Sequence, residues 1–305
     1  MVASNFPPPR AGEVTPKASE GGEIADSIRS DFALIWPMRS SFALRIAIGL
    51  AAVLMSGTAL AQSCPAPKTM TFEVRSQMRR DILGFTQGLE VRGDKLFEST
   101  GAIAGDTRLT TIDRGTGKVT VLANFGKRFF GEGLTILKDQ IYQLSWQNKL
   151  AFVYDLNGKL IRSMRNTQDG WGLTNDGTNL IFTDGGDRLY FVNPADFRIL
   201  RSVPVKLGNA PLPSLNELET VDGKIYSNVF LTWDIVRIEP RTGCVEAIAH
   251  LNNLWDRMSP DERRHIQSDT NFVLNGIAYD GARKIFYVTG KNWMTIFVGR
   301  FVDQR

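Results

Sequence analysis

The sequence predicts an all-β chain folded as a five-bladed β-propeller with four-stranded blades. Three observations predict it. From about residue 70 onward, short alternating runs rich in β-branched and aromatic residues are separated by Gly, Asp and Asn turns. One strand–turn–strand segment occurs five times. A second hairpin-like segment follows each copy, so each unit offers four strands at a period in the 40s, the spacing of propeller blades.

The first segment reads FTQGLEVRGDKLFEST from Phe85, FGEGLTILKDQIYQLSW from Phe130, GWGLTNDGTNLIFTDGG from Gly170, LNELETVDGKIYSN from Leu215 and LNGIAYDGARKIFYVTGK from Leu274. Each copy carries a polar or aromatic residue, then usually Gly-Leu or its equivalent, then a turn and a second strand with an apolar pair. The second segment reads TTIDRGTGKVTVL, AFVYDLNGKLIRS, LYFVNPADFRILRS and DIVRIEPRTGCVEA, hairpins with Asp, Asn, Pro or Gly in the turn. The fifth is only TIFVGRFV, at the C-terminus. TMTFEVRSQMRRD near residue 70 is therefore expected to supply the missing outer strand, closing the ring and removing its open edge. An insert, HLNNLWDRMSPDERRHIQSDT, precedes the last copy. Its Ser259-Pro260-Asp261-Glu262 reads as an N-cap with Pro at the first helical position, so a short helix is expected over one face.

Ahead of the repeats, residues 1–37 are rich in Pro, Gly, Ser and Glu and read as a disordered extension. Residues 38–61 read as a secretory signal peptide. Arg39 and Arg45 flank the apolar Ile46-to-Leu54 stretch, and Ala59-Leu60-Ala61 is a cleavage site. Met38 begins this segment so naturally that the start at Met1 or Met38 stays open. Export to the periplasm or medium follows, with membrane contact only through the signal. Residues 62–69 are then a linker and 70–305 the propeller. Ala61-Gln62-Ser63 fits a lipidation site at Cys64 poorly. Export permits disulfides, but whether Cys64 pairs with Cys244 stays open.

The charge of +4 over 305 residues is too weak to argue for nucleic acid. His250 and His265, the only histidines, lack paired metal-ligand spacing. GTGKVT resembles a phosphate loop only superficially, since the first Gly of that motif falls at Ile112. Asp184 and Asp187 in TDGGD read as a β-turn rather than a calcium loop. A structural calcium is not readable, and nothing suggests more than a monomer.

Alignment of the five copies puts Gln87, Glu132, Trp171, Asn216 and Asn275 in equivalent places, at intervals of 45, 39, 45 and 59 residues. In a propeller these positions face one end of the channel, where they would form a small polar pocket. Each amide taken alone is better explained as satisfying backbone groups at a strand start. A carboxylate in a narrow channel is costly without a partner or a task. Trp146 and Lys291 stand at the ends of second strands, and Trp233 follows one in VFLTWD.

FTQGLE, FGEGLT, LSW, GWGLTNDG, LNELE, LTW, NNLW, LNGIAYD and TGKNW, in that order, resemble the plant- and bacterial-type glutaminyl cyclases over residues 70–300. The resemblance implies a five-bladed propeller that converts N-terminal glutamine of peptides and proteins to pyroglutamate, releasing ammonia without a catalytic metal or other cofactor. It makes Glu132 the general acid/base. Gln87, Asn216 and Lys291 become polar pocket residues, and Trp146, Trp171 and Trp233 aromatic walls beside Phe85 and Phe130. Asn275 joins the substrate-binding set through the repeat. Lys291 and Asn216 are expected to aid catalysis; with the indole N–H groups they are the candidate donors to an oxyanion, and which of them serves stays open. Two other classes are weighed against this. A metal-dependent propeller hydrolase of lactonase type needs several channel acids, whereas one of the five equivalent positions is acidic. A non-catalytic binding propeller has no use for Glu132.

Overall fold

The computed structural model describes residues 63–103 and 105–304, so the expected extension and signal peptide lie outside the described residues. Strand β1 (Lys68–Arg79) comes first. Blade one follows as β2 (Thr86–Arg92), β3 (Lys95–Thr100), β4 (Thr107–Asp113) and β5 (Val119–Gly126). Blade two is β6 (Gly131–Leu137), β7 (Gln140–Ser145), β8 (Leu150–Asp155) and β9 (Leu160–Arg165). Blade three is β10 (Leu173–Asn175), β11 (Leu180–Phe182), β12 (Arg188–Val192) and β13 (Ile199–Pro204). A small hairpin, β14 (Lys206–Leu207) and β15 (Ala210–Pro211), leads to blade four: β16 (Leu215–Val221), β17 (Lys224–Val229), β18 (Asp234–Ile238) and β19 (Val245–His250). After the insert, which holds a 3-10 turn at Asn252–Arg257 and helix α1 (Pro260–Gln267), come β20 (Leu274–Asp280), β21 (Ile285–Gly290) and β22 (Thr295–Asp303).

Every blade is an antiparallel meander, and the innermost strands close a ring. β2 packs on β6 and β20, β10 packs on β6 and β16, and β16 packs on β20. Glycines allow this approach. A Cβ on Gly88 would stand 2.2 Å from Leu134 N, and one on Gly172 would stand 1.9 Å from Asn216 O. Five apolar clusters fill the wedges between blades, one per neighbouring pair. They are the core: inner strands such as β6 and β20 are buried along nearly all of their length, while an outer strand such as β9 is largely exposed.

The closing strand is where the repeat placed it. β1 pairs antiparallel with β22 from Met70–Asp303 to Arg79–Thr295, completing blade five from the other end of the chain. TIFVGRFV is therefore part of one long strand, not a hairpin. β1 also bridges in parallel to β19 through Lys68 and Thr69, which joins blades four and five into one sheet. The segment expected to be a linker is held at both ends: β1 already begins at Lys68, and Cys64 is disulfide-bonded to Cys244 of blade four.

The insert folds as its cap signals. Ser259 Oγ accepts from Glu262 N, and Pro260 opens α1. The buried Glu262 carboxylate then accepts from Met294 N, Thr295 N and Thr295 Oγ1, which pins the helix onto blade five.

Candidate active site

The inner strands break register at one repeated point. The ladder skips between Thr86 and Gly88, Gly131 and Leu134, Leu215 and Leu218, and Leu274 and Ile277. These bulges take Gln87, Glu132, Asn216 and Asn275 out of the ladder, a device that re-aims a side chain. In blade three the inner strand begins only at Leu173, and Trp171 precedes it, its N–H donating to Thr183 O at 2.9 Å.

A second ring of positions lies at the ends of the second strands. Gly101, Trp146, Phe230 and Lys291 donate their N–H groups to the carbonyls of Phe85, Phe130, Ser214 and Val273, at 2.9, 3.0, 2.8 and 2.9 Å. These four residues are equivalent, so Trp146, Phe230 and Lys291 come to one mouth.

Glu132 is 5 % exposed, and among the described residues its carboxylate has neither a hydrogen bond nor an ion pair. Burial holds its proton affinity well above the usual carboxylate range. The Lys291 charge opposes this, and the Asp169 charge adds to it. Lys291 is 4 % exposed. Burial pushes its ammonium down to about 8, and Glu132 holds it up. Its Nζ lies 5.2 Å from the Phe85 ring centroid and 4.8 Å from that of Phe230, so two ring faces stand in for a counter-ion. Edge-on aromatic contacts run from Phe272 through Phe85 and Phe130 to the half-exposed Trp146, and Trp171 meets Phe230 edge-on at 5.3 Å.

The amides divide into two kinds. Asn275 Nδ2 donates to Thr86 O at 3.0 Å and to Gln87 Oε1 at 3.4 Å, so these two residues brace one another and the inner strand of blade one. Asn216 Oδ1 and Asn275 Oδ1 are buried acceptors without a protein partner among the described residues.

A buried carboxyl near a buried ammonium, with amide oxygens that lack protein partners among the described residues at equivalent bulges, is the equipment of proton transfer on a polar substrate. The family model for glutamine cyclotransferase matches residues 48–301. A glutaminyl-peptide cyclotransferase of Arabidopsis thaliana is 35% identical over 228 residues, which is 74% of this chain and 69% of that protein. The chain belongs to the glutamine cyclotransferase family.

The crystal structure of a Myxococcus xanthus glutaminyl cyclase matches with a TM-score of 0.67 at 28% identity, covering 78% of this chain and 100% of that one. The all-β five-bladed architecture is therefore shared with a solved family member. Of the site residues expected from the sequence, this cyclotransferase-family chain brings Glu132, Lys291, Phe85, Phe130, Trp146 and Trp171 around one mouth. Asn216 shares the bulge position, and Gln87 and Asn275 line it in mutual contact. Trp233 makes no ring contact with these residues. Its ring partners are Trp255 of the insert, at 6.0 Å, and Trp293, at 5.4 Å. The blade-four counterpart of Trp146 is Phe230, three residues earlier.

Sequence reasoning missed Phe230 and Asp169, although the repeat marks both. Phe230 aligns with Trp146 and Lys291, and Asp169 aligns with Phe85 and Phe130. It also missed a deeper set of acids. In blade four Glu217 stands where blades one, two, three and five have Gly88, Gly133, Gly172 and Gly276. It reaches across the channel to accept from Leu89 N at 3.2 Å and Ile277 N at 2.8 Å. Glu219 accepts from Tyr279 N at 2.8 Å, and Glu90 from Thr135 Oγ1 at 2.6 Å and Ile136 N at 2.9 Å. These acids tie neighbouring inner strands together. Asp184 and Asp187 do not pair as ligands: Asp184 accepts from Gly186 N and Tyr190 OH in a turn.

Proposed function

We propose that the chain converts N-terminal glutaminyl residues of peptides and proteins to pyroglutamate with release of ammonia, and that Glu132 is the proton shuttle. The observation behind this reading is Glu132 itself: buried, re-aimed by a bulge, free of hydrogen bonds among the described residues, and set beside a buried ammonium. The substrate's α-amine attacks its own γ-carboxamide carbon. A C–N bond forms, the carbonyl oxygen takes the negative charge, and the nitrogen becomes acidic. The attacking amine must be neutral, which its ordinary pKa of about 7.7–8.0 allows near neutral pH. Glu132 takes the amine proton and gives it to the departing amide nitrogen, which leaves as ammonia when the tetrahedral centre collapses. Lys291 and the Asn216 amide would stabilise the oxyanion. The aromatic walls hold the short chain folded for five-membered ring closure.

On this reading one carboxylate serves both proton steps, so catalysis needs no metal. The Cys64–Cys244 disulfide supports export to an oxidising compartment. Signal cleavage after Ala61 would leave Gln62 as the new N-terminus, itself a substrate residue. The deciding experiment measures ammonia release from a Gln-initiated dipeptide, with and without a strong chelator. Chelator-resistant turnover is expected. A folded protein that releases no ammonia overturns the proposal, and turnover lost on chelation overturns the metal-free part alone.

A further inference from the structure

We infer that the cleft between the helical insert and the loop after β17 binds the side chain of the substrate's second residue and selects a large apolar one there. The inference rests on the cyclase reading, because only a peptide substrate continues beyond the reacting glutamine.

The cleft has a volume of about 230 Å³ and is walled by Leu231, Trp233, Trp255, Ile266 and Phe272 among others. That is below the volume of a whole small-molecule site, roughly 300–1,000 Å³, and suits one side chain. A neighbouring hollow of about 320 Å³ is shared by Trp233, Asn252 and Trp255. The two indoles stand edge-to-face at 6.0 Å, a rigid apolar corner. The cleft has one charged residue in its lining, Asp269, which turns back to accept from Asn271 N and Nδ2. An apolar occupant therefore meets no carboxylate left without a hydrogen-bond partner.

The cleft adjoins the catalytic mouth through two of its lining residues. Phe272 meets Phe85, whose ring faces Lys291, and Phe230, which also faces Lys291, is followed directly by Leu231. Leu231 is 63% exposed and sits at φ 64°, a left-handed backbone that a leucine seldom adopts. Its loop is fixed by Thr232, whose N–H and Oγ1 both donate to Val229 O at 3.2 and 2.8 Å. A held, strained turn that presents leucine to solvent beside a substrate mouth is a clamp surface rather than a folding need. The chain leaving Glu132 and Lys291 crosses Leu231 and meets the two indoles next.

The test compares kcat/KM for Gln-Gly-Gly and Gln-Phe-Gly in the wild type and in the Leu231→Asn and Trp255→Ala variants. Asparagine tolerates the left-handed backbone, so Leu231→Asn keeps the comparison valid if Trp255→Ala fails to fold. The wild type is expected to favour Gln-Phe-Gly by about tenfold, as filling an apolar pocket allows. Each folded variant should reduce that preference several-fold, mainly by raising KM for Gln-Phe-Gly. Equal turnover of both peptides by the wild type overturns the subsite and leaves the cyclase standing. So does a preference that both variants retain. Turnover of neither peptide overturns the cyclase reading and the subsite with it.

Discussion

Glu132 and Lys291 share one buried mouth without forming a contact ion pair. Each is less than a tenth exposed, each shifts the other's proton affinity, and the ammonium lies over Phe85 and Phe230 instead of on the carboxylate. A closed ion pair would lock the carboxylate's lone pairs. Held apart, it stays free for a substrate proton while the positive charge keeps it ionisable.

Glu132→Gln should therefore remove the shuttle and keep the shape. Turnover is expected to fall by at least about 10²- to 10⁴-fold, the share that positioned acid–base groups supply. The melting temperature should stay level or rise, because a buried ionisable group without a hydrogen bond has been replaced by a neutral one. Paired thermal melts and ammonia-release assays check this, and near-wild-type turnover in the folded variant would sink the shuttle role.

The pH profile should show the partnership. Lys291, pushed down to about 8, loses its charge above that pH, and Glu132 then binds its proton more tightly. The kcat of the bound complex is expected to rise as Glu132 ionises and to fall as pH passes about 8. Lys291→Met should lower kcat, abolish the alkaline limb and move the acid limb to higher pH. A variant profile with both limbs unmoved would separate Lys291 from the chemistry.

Stability should run the other way from the usual carboxylate case. Burial raises Glu217 and Glu219 well above the ordinary range and Glu90 to about 7, against about 4.3 for glutamate in an unfolded chain. Between those values the folded state binds more protons than the unfolded one, so stability falls as pH rises through the window. Urea midpoints should be lower at pH 7.5 than at pH 5, and Glu90→Gln should flatten the difference. A midpoint that climbs with pH across this range would contradict the assignment.

Much of this was legible in the sequence because a repeat transmits register. The bulge positions of Gln87, Glu132, Asn216 and Asn275, the closing role of β1 and the Ser259 cap all follow from local pattern. What a pattern lacks is distance. Trp233 looks like the partner of Trp146 in LTW and LSW, yet the strand end falls at Phe230, so the indole belongs to the insert's wall. The repeat shows that Glu217 stands where the other copies have glycine, but only the ring shows its carboxylate reaching Leu89 and Ile277. Cys64 and Cys244 lie 180 residues apart, and only the closed ring brings them to a Cα separation of 5.3 Å.

The seam between blades one and five should be sensitive to one buried charge. Arg80, just past β1, pairs with Glu98 on β3, and both side chains are almost wholly buried. Arg80 also donates to Thr86 and Thr289, while Glu98 accepts from Thr86 and Thr110. Removing one partner leaves an uncompensated charge, so Arg80→Met should cost about 3–5 kcal/mol in denaturant unfolding. The double variant Arg80→Met with Glu98→Gln should recover part of that loss. A loss under about 1 kcal/mol in the single variant would mean the network adds little to the seam.

The disulfide acts on the same closure from outside. Cys64 precedes β1 by a few residues, and β1 is both the outer strand of blade five and the parallel bridge to β19. The cross-link spans 180 residues, for which chain-entropy reasoning gives a contribution on the order of 5 kcal/mol, reduced by any order left in the unfolded chain. Glu132 and Lys291 lie in the channel mouth, formed by β6 and the end of β21, and neither strand touches the cross-link. Cys244→Ser, or reduction, should thus lower the unfolding midpoint by several kcal/mol while kcat at low temperature is kept. The loss should appear first as exchange of β1 amides in native-state hydrogen exchange, since that strand is tethered at Cys64. If β1 amides stay as protected as those of β22 after reduction, the hydrogen-bonded ladder alone holds the ring shut and the staple is dispensable for closure.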